Sequence, residues 1–249
     1  MTTQISPPFI DPQQIVQALK TMGYAVLRPN GAFELLRCST ADVSNWLPSW
    51  NDLPPDAYLK DGGHYRRRRH SCFIVKGESV VQTEHRAHWQ PLEYNALHGG
   101  MQRLFEPMSA DVVQSSAWTA MLSKLGAVCS ALKPSIQTWF VEAHQFRIDT
   151  TDGIGRPTPE GAHRDGVDFV AVILINRHGI KGGETRVFEV NGPAGQRFTM
   201  TEPWTLLMLD DERVIHESTP IQPLGAEGSG SSYRDTLVLT FRAKAFQGE

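Results

Sequence analysis

The stretch Glu160-Gly161-Ala162-His163-Arg164-Asp165-Gly166-Val167-Asp168-Phe169, running into the apolar Val170 to Ile175, decides how this chain is read. His163 and Asp165 are two residues apart, so on an extended strand or at its end both side chains leave on one face, where an imidazole and a carboxylate can share an ion. Among the nine histidines only His163 has an acidic residue two positions later. A third ligand is sought downstream. His216, in Asp210-Asp211-Glu212-Arg213-Val214-Ile215-His216-Glu217-Ser218, stands 51 positions after Asp165. Two imidazoles and one carboxylate suit non-haem iron(II) and leave coordination positions open.

Working outward, the texture on both sides of this motif is that of strands. Ile136 to Asp149 is rich in Trp, Phe, Val and Ile, and Gln145, Arg147 and Asp149 alternate with Phe146 and Ile148. That alternation predicts one apolar face and one that lines a polar cavity, which makes Gln145 and Arg147 candidate substrate contacts. An arginine paired with an acid at a sheet edge is the other reading of Arg147. Thr150 to Glu160 reads as a loop. Beyond it Phe169 to Asn176, Glu184 to Val190, Phe198 to Thr201, Trp204 to Leu209, Arg213 to His216 and Thr236 to Phe241 read as strands, separated by Gly and Pro.

The N-terminal half is more helical. Asp11 to Met22 has Ile15, Val16 and Leu19 at helical spacing, Asp11 as N-cap, Pro12 at the first helical position and Gly23 beyond the end. Tyr24 to Leu27 follows as a strand, and Thr40 to Leu47 as a short helix capped by Thr40. Ser109 to Leu132 reads as one long helix whose apolar stripe packs on a sheet. Helices held mostly to the N-terminal half and seven or eight strands after them predict a mainly β fold with buttressing helices, built on a jelly-roll core. One domain over 1–249 is expected, with 1–134 as support and lid and 135–249 as the core.

Composition narrows the partners. At 249 residues, 40% apolar, 20% charged and with a net charge of −3, the chain has no general pull toward nucleic acid or anionic membrane, so a small-molecule partner is expected. Met1 to Asp11 has no basic region before an apolar core, and no run of 18 apolar residues occurs, which places the protein in the cytoplasm. Cys38, Cys72 and Cys129 are far apart and form no Cys-x-x-Cys, so a disulfide framework or thiolate zinc site is not expected. Nothing in the sequence sets the oligomeric state.

Arg66 to Arg69, flanked by His64 and His70, is the unusual basic run. If extended, it puts His64, Arg66, Arg68 and His70 on one face and Tyr65, Arg67 and Arg69 on the other. The simplest reading is a solvated strand with ion pairs; the others are an anion-contacting role for one or two of the arginines, or a nucleic-acid patch. His85, His88 and His98, in the loop Glu84 to Pro107, have no acid at short spacing and are held as polar loop residues.

The last strand opens Tyr233-Arg234-Asp235-Thr236, and Arg234 and Thr236 share a face, so a guanidinium fork and a hydroxyl can converge on one carboxylate. A dicarboxylic 2-oxo acid fits such a site, with its 2-oxo carboxylate chelating the metal. His163-Arg164-Asp165 also matches a protein-kinase catalytic loop, but position 170 is Val where the metal-binding Asn would stand, and no Gly-rich loop accompanies it.

The residues His144 to Ile148, Glu160 to Phe169, Leu174-Ile175-Asn176-Arg177, Gly182-Gly183-Glu184-Thr185, Leu209-Asp210-Asp211, His216 with Thr219-Pro220, and Arg234 to Phe241 together carry a family likeness. The chain resembles the 2-oxoglutarate and iron(II)-dependent dioxygenases, in particular the bacterial branch containing L-isoleucine 4-hydroxylase, related free-amino-acid hydroxylases and biofilm-stress proteins. The resemblance implies a double-stranded β-helix core and iron(II) on His163, Asp165 and His216. It implies 2-oxoglutarate on Arg234, Thr236 standing where the superfamily often has Ser or Thr, and dioxygen as the oxidant. Arg234 follows His216 by 18 positions, longer than the usual interval; the Gly-Ser loop Gly225 to Ser232 absorbs the difference, and Arg242 is the substitute. The implied substrate is a small free L-amino acid, with Arg147 or the Arg66 to Arg69 stretch for its carboxylate and Asp168 or Glu184 for its ammonium. The competing function is a non-catalytic, cupin-like metal-binding sensor, which has no need of Arg234.

Overall fold

Alternation of side chains along long antiparallel strands gives this chain a sheet with two chemically different faces. The computed structural model describes residues 5–225 and 232–248. Among these, the strands are β1 Tyr24–Leu27, β2 Arg66–Lys76, β3 Ser79–Gln82, β4 Thr138–Asp149, β5 Phe169–His178, β6 Ile180–Gly182, β7 Thr185–Glu189, β8 Gly195–Phe198, β9 Leu206–Asp210, β10 Val214–Ser218, β11 Ile221–Pro223 and β12 Tyr233–Arg242. Seven form one sheet in the order β1-β9-β5-β12-β4-β2-β3, opposed by a three-stranded sheet β10-β7-β8 and a two-stranded sheet β11-β6. All these pairings are antiparallel. The fold is a jelly roll with helices on one face.

The outer face of the large sheet is apolar because a layer of helices covers it. Leu237, Leu239 and Phe241 of β12, Val141 and Ala143 of β4 and Phe169, Ala171 and Ile173 of β5 form one buried cluster with Leu19, Trp46, Trp118, Leu122 and Leu125 from the helical layer. Each large side chain so buried contributes about 1.5–3 kcal/mol. The opposite face packs Val170, Leu174, Leu207 and Leu209 against Val187, Phe198 and Val214 of the smaller sheet at one end, and opens into a cavity at the other.

The helices follow local signals, with three departures. In α1 (Ile15–Met22), Asp11 caps the preceding 3-10 turn, accepting from the Gln13 amide at 3.0 Å, and Gly23 ends the helix at φ 77°, a conformation side chains resist. Helix α2 (Pro29–Leu36) is unpredicted; Asn30 and Gly31 are poor helix formers, and burial of Ala32 and Leu36 outweighs that propensity. Helix α3 (Thr40–Ser44) is shorter than expected and is capped by Ser39, not Thr40, in a reciprocal box with Asp42. The long helix is two: α4 (Ala110–Val113) and α5 (Ser116–Leu132), divided at Ser115, whose extended backbone and hydroxyl cap α5 through the Trp118 amide.

The expected division at residue 135 does not hold. Strands β1, β2 and β3 from the N-terminal half belong to the seven-stranded sheet, with β2 paired along its whole length to β4. The Gly-Ser loop invoked to span Gly225 to Ser232 lies mostly outside the described residues. Among the described residues, no helix is long and apolar enough to cross a membrane.

Candidate active site

His163 and Asp165 sit in the connection between β4 and β5, not on a strand as expected. A single antiparallel bridge ties this connection to β10, with His163 N–H donating to the His216 carbonyl at 3.0 Å and His216 N–H to the His163 carbonyl at 2.9 Å. The rings are thereby brought to 4.8 Å between centroids. His163 Nδ1–H donates to the Gly161 carbonyl at 2.9 Å, which turns Nε2 inward. Asp165 Oδ1 lies 3.7 Å from His163 Nε2, and Asp165 Oδ2 lies 3.7 Å from His216 Nε2. Three donor atoms at such spacing can meet one cation about 2.1 Å from each.

The electrostatics mark the same spot. Burial opposes a charge on His163, yet the Asp165 and Glu160 carboxylates outweigh it and hold its pKa up to about 10. Burial likewise opposes the Asp165 carboxylate, which the two imidazoles keep ionised well below the usual range. Burial, with the charge of His163, pushes His216 down to about 4. Groups forced so far apart within one pocket are characteristic of functional sites.

Asp211 shapes the turn that presents Asp165. Its fully buried carboxylate accepts from the backbone amides of Asp165 at 3.0 Å, Gly166 at 2.8 Å and Val167 at 3.1 Å. Burial and the nearby Asp165 charge push its pKa up to about 7, against the pull of those amides. Gly166 takes φ 75° there, with Tyr94 filling the space a Cβ would need. Gln247 donates to the carbonyls of Asp165 and Gly166, and Gln90 donates to Asp165 Oδ1 at 3.2 Å. Asp211→Ala is therefore expected to weaken Mn(II) binding about 10–100-fold, the usual cost of losing an outer support of a metal ligand. Titration calorimetry, with circular dichroism confirming the fold, measures this.

The cavity's other wall is the inner face of β12, β4 and β2, and the register lays it out in rows. Arg234 aligns with Ile148 and Arg66, Thr236 with Phe146 and Arg68, Val238 with His144 and His70, and Thr240 with Glu142 and Cys72. Arg234 is 5% exposed, and among the described residues no acid pairs with it and its Nε has no hydrogen-bond partner. Burial and the neighbouring Arg177 push its pKa down to about 10. At the far edge Arg66 and Arg68 are 5% and 3% exposed, so the basic run is no solvated strand. Only Arg67 and Arg69, on the outer face, keep to surface ion pairs, with Asp149 and with Asp52 and Glu106.

Glu142, His70, His88 and His144 form a buried group beside the triad, close enough together to hold a cation. Hydrogen bonds already occupy it. Glu142 Oε2 accepts from His88 Nδ1–H at 2.6 Å and His70 Nε2–H at 2.9 Å, and Arg68 donates to His144 Nδ1 at 2.7 Å, which leaves that ring's proton on Nε2. His88 and His98, expected as polar loop residues, are buried; their signal is tertiary, since Glu142 lies 54 residues from His88.

Four of the proposed substrate contacts lie away from the cavity. Arg147 makes a bidentate pair with Asp235, 2.7 Å on each arm, and stacks 4.0 Å over Tyr233, while Gln145 donates to Ser49 at 2.7 Å. The alternation in β4 was read correctly but its faces were exchanged: His144, Phe146 and Ile148 line the cavity. Asp168 pairs with Lys133 at 2.5 Å and accepts from the Ala243 amide, and Glu184 pairs with Arg186 at 2.9 Å. Arg242 is spent on the carbonyls of Ala245 and Phe246, so it does not replace Arg234.

The family model described as 2OG-Fe dioxygenase matches residues 47–240. The chain belongs to the 2OG-Fe dioxygenase family. Such enzymes are oxidoreductases that use iron(II), 2-oxoglutarate and dioxygen. Among solved structures, a bsmA homologue from Methylobium petroleophilum PM1 is 49% identical over 98% of this chain and 97% of that one, with a TM-score of 0.91. IDO from Bacillus thuringiensis shares the fold at 17% identity, covering 98% and 100% of the two chains with a TM-score of 0.75. So does the Fe(II)/α-ketoglutarate-dependent dioxygenase TqaL, at 19% identity, 95% and 88% coverage and 0.71. No curated protein matches the sequence.

Proposed function

We propose that this 2OG-Fe dioxygenase hydroxylates a small free L-amino acid on its side chain, with iron(II) on His163, Asp165 and His216 and the far carboxylate of 2-oxoglutarate on Arg234 beside Thr236. The donor set suits the metal: two imidazoles with Nε2 turned toward Asp165 and one carboxylate, His163 held through its Nδ1–H and the Asp165 turn through Asp211, and a bound cation would take the place of the proton His163 carries without it. The observation that carries the reading is Arg234. A guanidinium buried with no acid partner among the described residues, on a wall of the cavity that the triad also lines, is costly unless a carboxylate ligand completes it.

Bound iron, with 2-oxoglutarate and dioxygen, supplies an oxidant that puts one oxygen atom into a substrate C–H bond, the other leaving in succinate as carbon dioxide is lost. The chain's part is to aim and enclose. Val172, Met200 and Leu207 line the cavity and provide an apolar surface for an aliphatic side chain. A metal-binding sensor of cupin type gives no role to Arg234.

The test starts with anaerobic addition of Fe(II) and 2-oxoglutarate, which should produce their charge-transfer band, and proceeds to succinate release screened over the free amino acids. One or a few aliphatic members should stimulate release. A folded protein that forms no band would remove the oxygenase assignment of these residues; a band with no amino acid response would remove the substrate class alone.

A further inference from the structure

Across the sheet from Arg234 the same face carries a second cationic group, outside the 2-oxoglutarate site proposed above. Arg66 and Arg68 of β2 are separated from β12 by β4, which places them two strand spacings, or roughly 10 Å, from Arg234 and Thr236. With 2-oxoglutarate on Arg234, the β2 side of the cavity is left for another anion. Arg103, 2% exposed, joins them from the loop that pairs with His88. Each of the three guanidiniums lines the cavity and each keeps a buried N–H without a partner among the described residues: Nη2 of Arg66, Nε of Arg68 and Nε of Arg103.

The protein's own acceptors leave these donors short. Asp56 binds Arg66 Nε at 2.7 Å and reaches Arg68 only at 4.0 Å, while Arg103 has the neutral Gln90 Oε1 at 3.0 Å. Arg68 is clamped between the rings of Phe105 and Phe146, 3.8 and 4.5 Å from their centroids, so its planar fork is held in one orientation before any ligand arrives. In the same cavity Glu160 has the converse deficit. Its Oε2 is buried with no donor among the described residues, while Oε1 lies 3.5 Å from His163.

We propose that Arg66, Arg68 and Arg103 form a second anion subsite that takes the α-carboxylate of the primary substrate, and that Glu160 accepts from its ammonium. The inference rests on the oxygenase reading above and deepens it: the substrate is recognised as a zwitterion, with orphan donors at one end and an orphan acceptor near the metal ligands. Specificity for the head group then resides in β2 and the loop after β3, and specificity for the side chain in Val172, Met200 and Leu207.

Succinate release is measured on the native enzyme with each free L-amino acid, its carboxamide and its N-acetyl derivative, and then on Arg68→Gln and Arg68→Lys. The acid that stimulates most strongly is expected to lose about 100-fold or more in kcat/KM as either derivative, because each removes one partner of a buried charge. Arg68→Gln should raise the KM for that acid by tens-fold and Arg68→Lys by less, with the charge-transfer band and the KM for 2-oxoglutarate unchanged. A carboxamide used as well as its acid, or a folded Arg68→Gln with an unchanged amino-acid KM, overturns the subsite while leaving the oxygenase standing. If Arg68→Gln does not fold, the derivative comparison on the native enzyme decides. Absence of the band, or of any amino acid response, removes the underlying reading and the subsite with it.

Discussion

Replacing His163, Asp165 or His216 by Ala is expected to abolish iron binding and 2-oxoglutarate turnover while the fold persists. The bridge that joins the two histidine segments is made by their backbones, at 3.0 and 2.9 Å, and survives loss of either ring. Removing a direct ligand leaves two donors where three are needed to hold the ion, so the effect should exceed the roughly 10–100-fold that outer supports cost. Asp165 is the most sensitive of the three, because its two oxygens lie opposite both imidazoles. Metal content after desalting and succinate release provide the readout, and a His216→Ala protein with full activity would reject this ligand set.

Arg234→Met should separate binding from stability. The guanidinium is buried beside Arg177 with no acid among the described residues to offset it, so an apolar side chain of similar length relieves a desolvated charge, and Tm should hold or rise. Affinity for 2-oxoglutarate should nevertheless fall by tens-fold to thousands-fold, corresponding to about 2–5 kcal/mol for a buried charge-assisted pair. The charge-transfer band titrated with 2-oxoglutarate measures it. An unchanged affinity would move the cosubstrate to the Arg66, Arg68 and Arg103 side of the cavity.

Much of this was legible in the sequence wherever the decisive interaction is local. Asp11, Pro12 and Gly23 bound α1 by rules that act within one turn. The period of two in β12 put Arg234 and Thr236 together on one side and Leu237 and Leu239 on the other, and the spacing of His163 and Asp165 marked the pair that the structure brings to His216. What the sequence hid depends on which layer covers which face. In β4 the alternation is plain, but nothing local says that Gln145 and Arg147 meet Ser49 and Asp235 under the edge of the helical layer while His144 and Phe146 turn inward. The same holds for Arg66 and Arg68, which read as surface residues until Asp56, Phe105 and Phe146 enclose them. Asp168 and Glu184 were plausible by proximity to the motif; Lys133 and Arg186, which claim them, are visible only in three dimensions.

The residues of β2, β4 and β12 that line the cavity are all even-numbered, and in β4 and β12 the odd-numbered ones meet the helices or the loops that flank them. Cohesion and recognition thus occupy interleaved positions of the same strands, and a lineage can retool what the sheet binds by point substitution without disturbing what holds it together. Gain or loss of one residue inside a strand is another matter. It would exchange the two sets at a stroke, sending Leu239 toward the cavity and Thr240 toward the helices. Changes of length are therefore better tolerated in the connections than within these strands, where exchange of side chains at alternate sites alters the cavity alone.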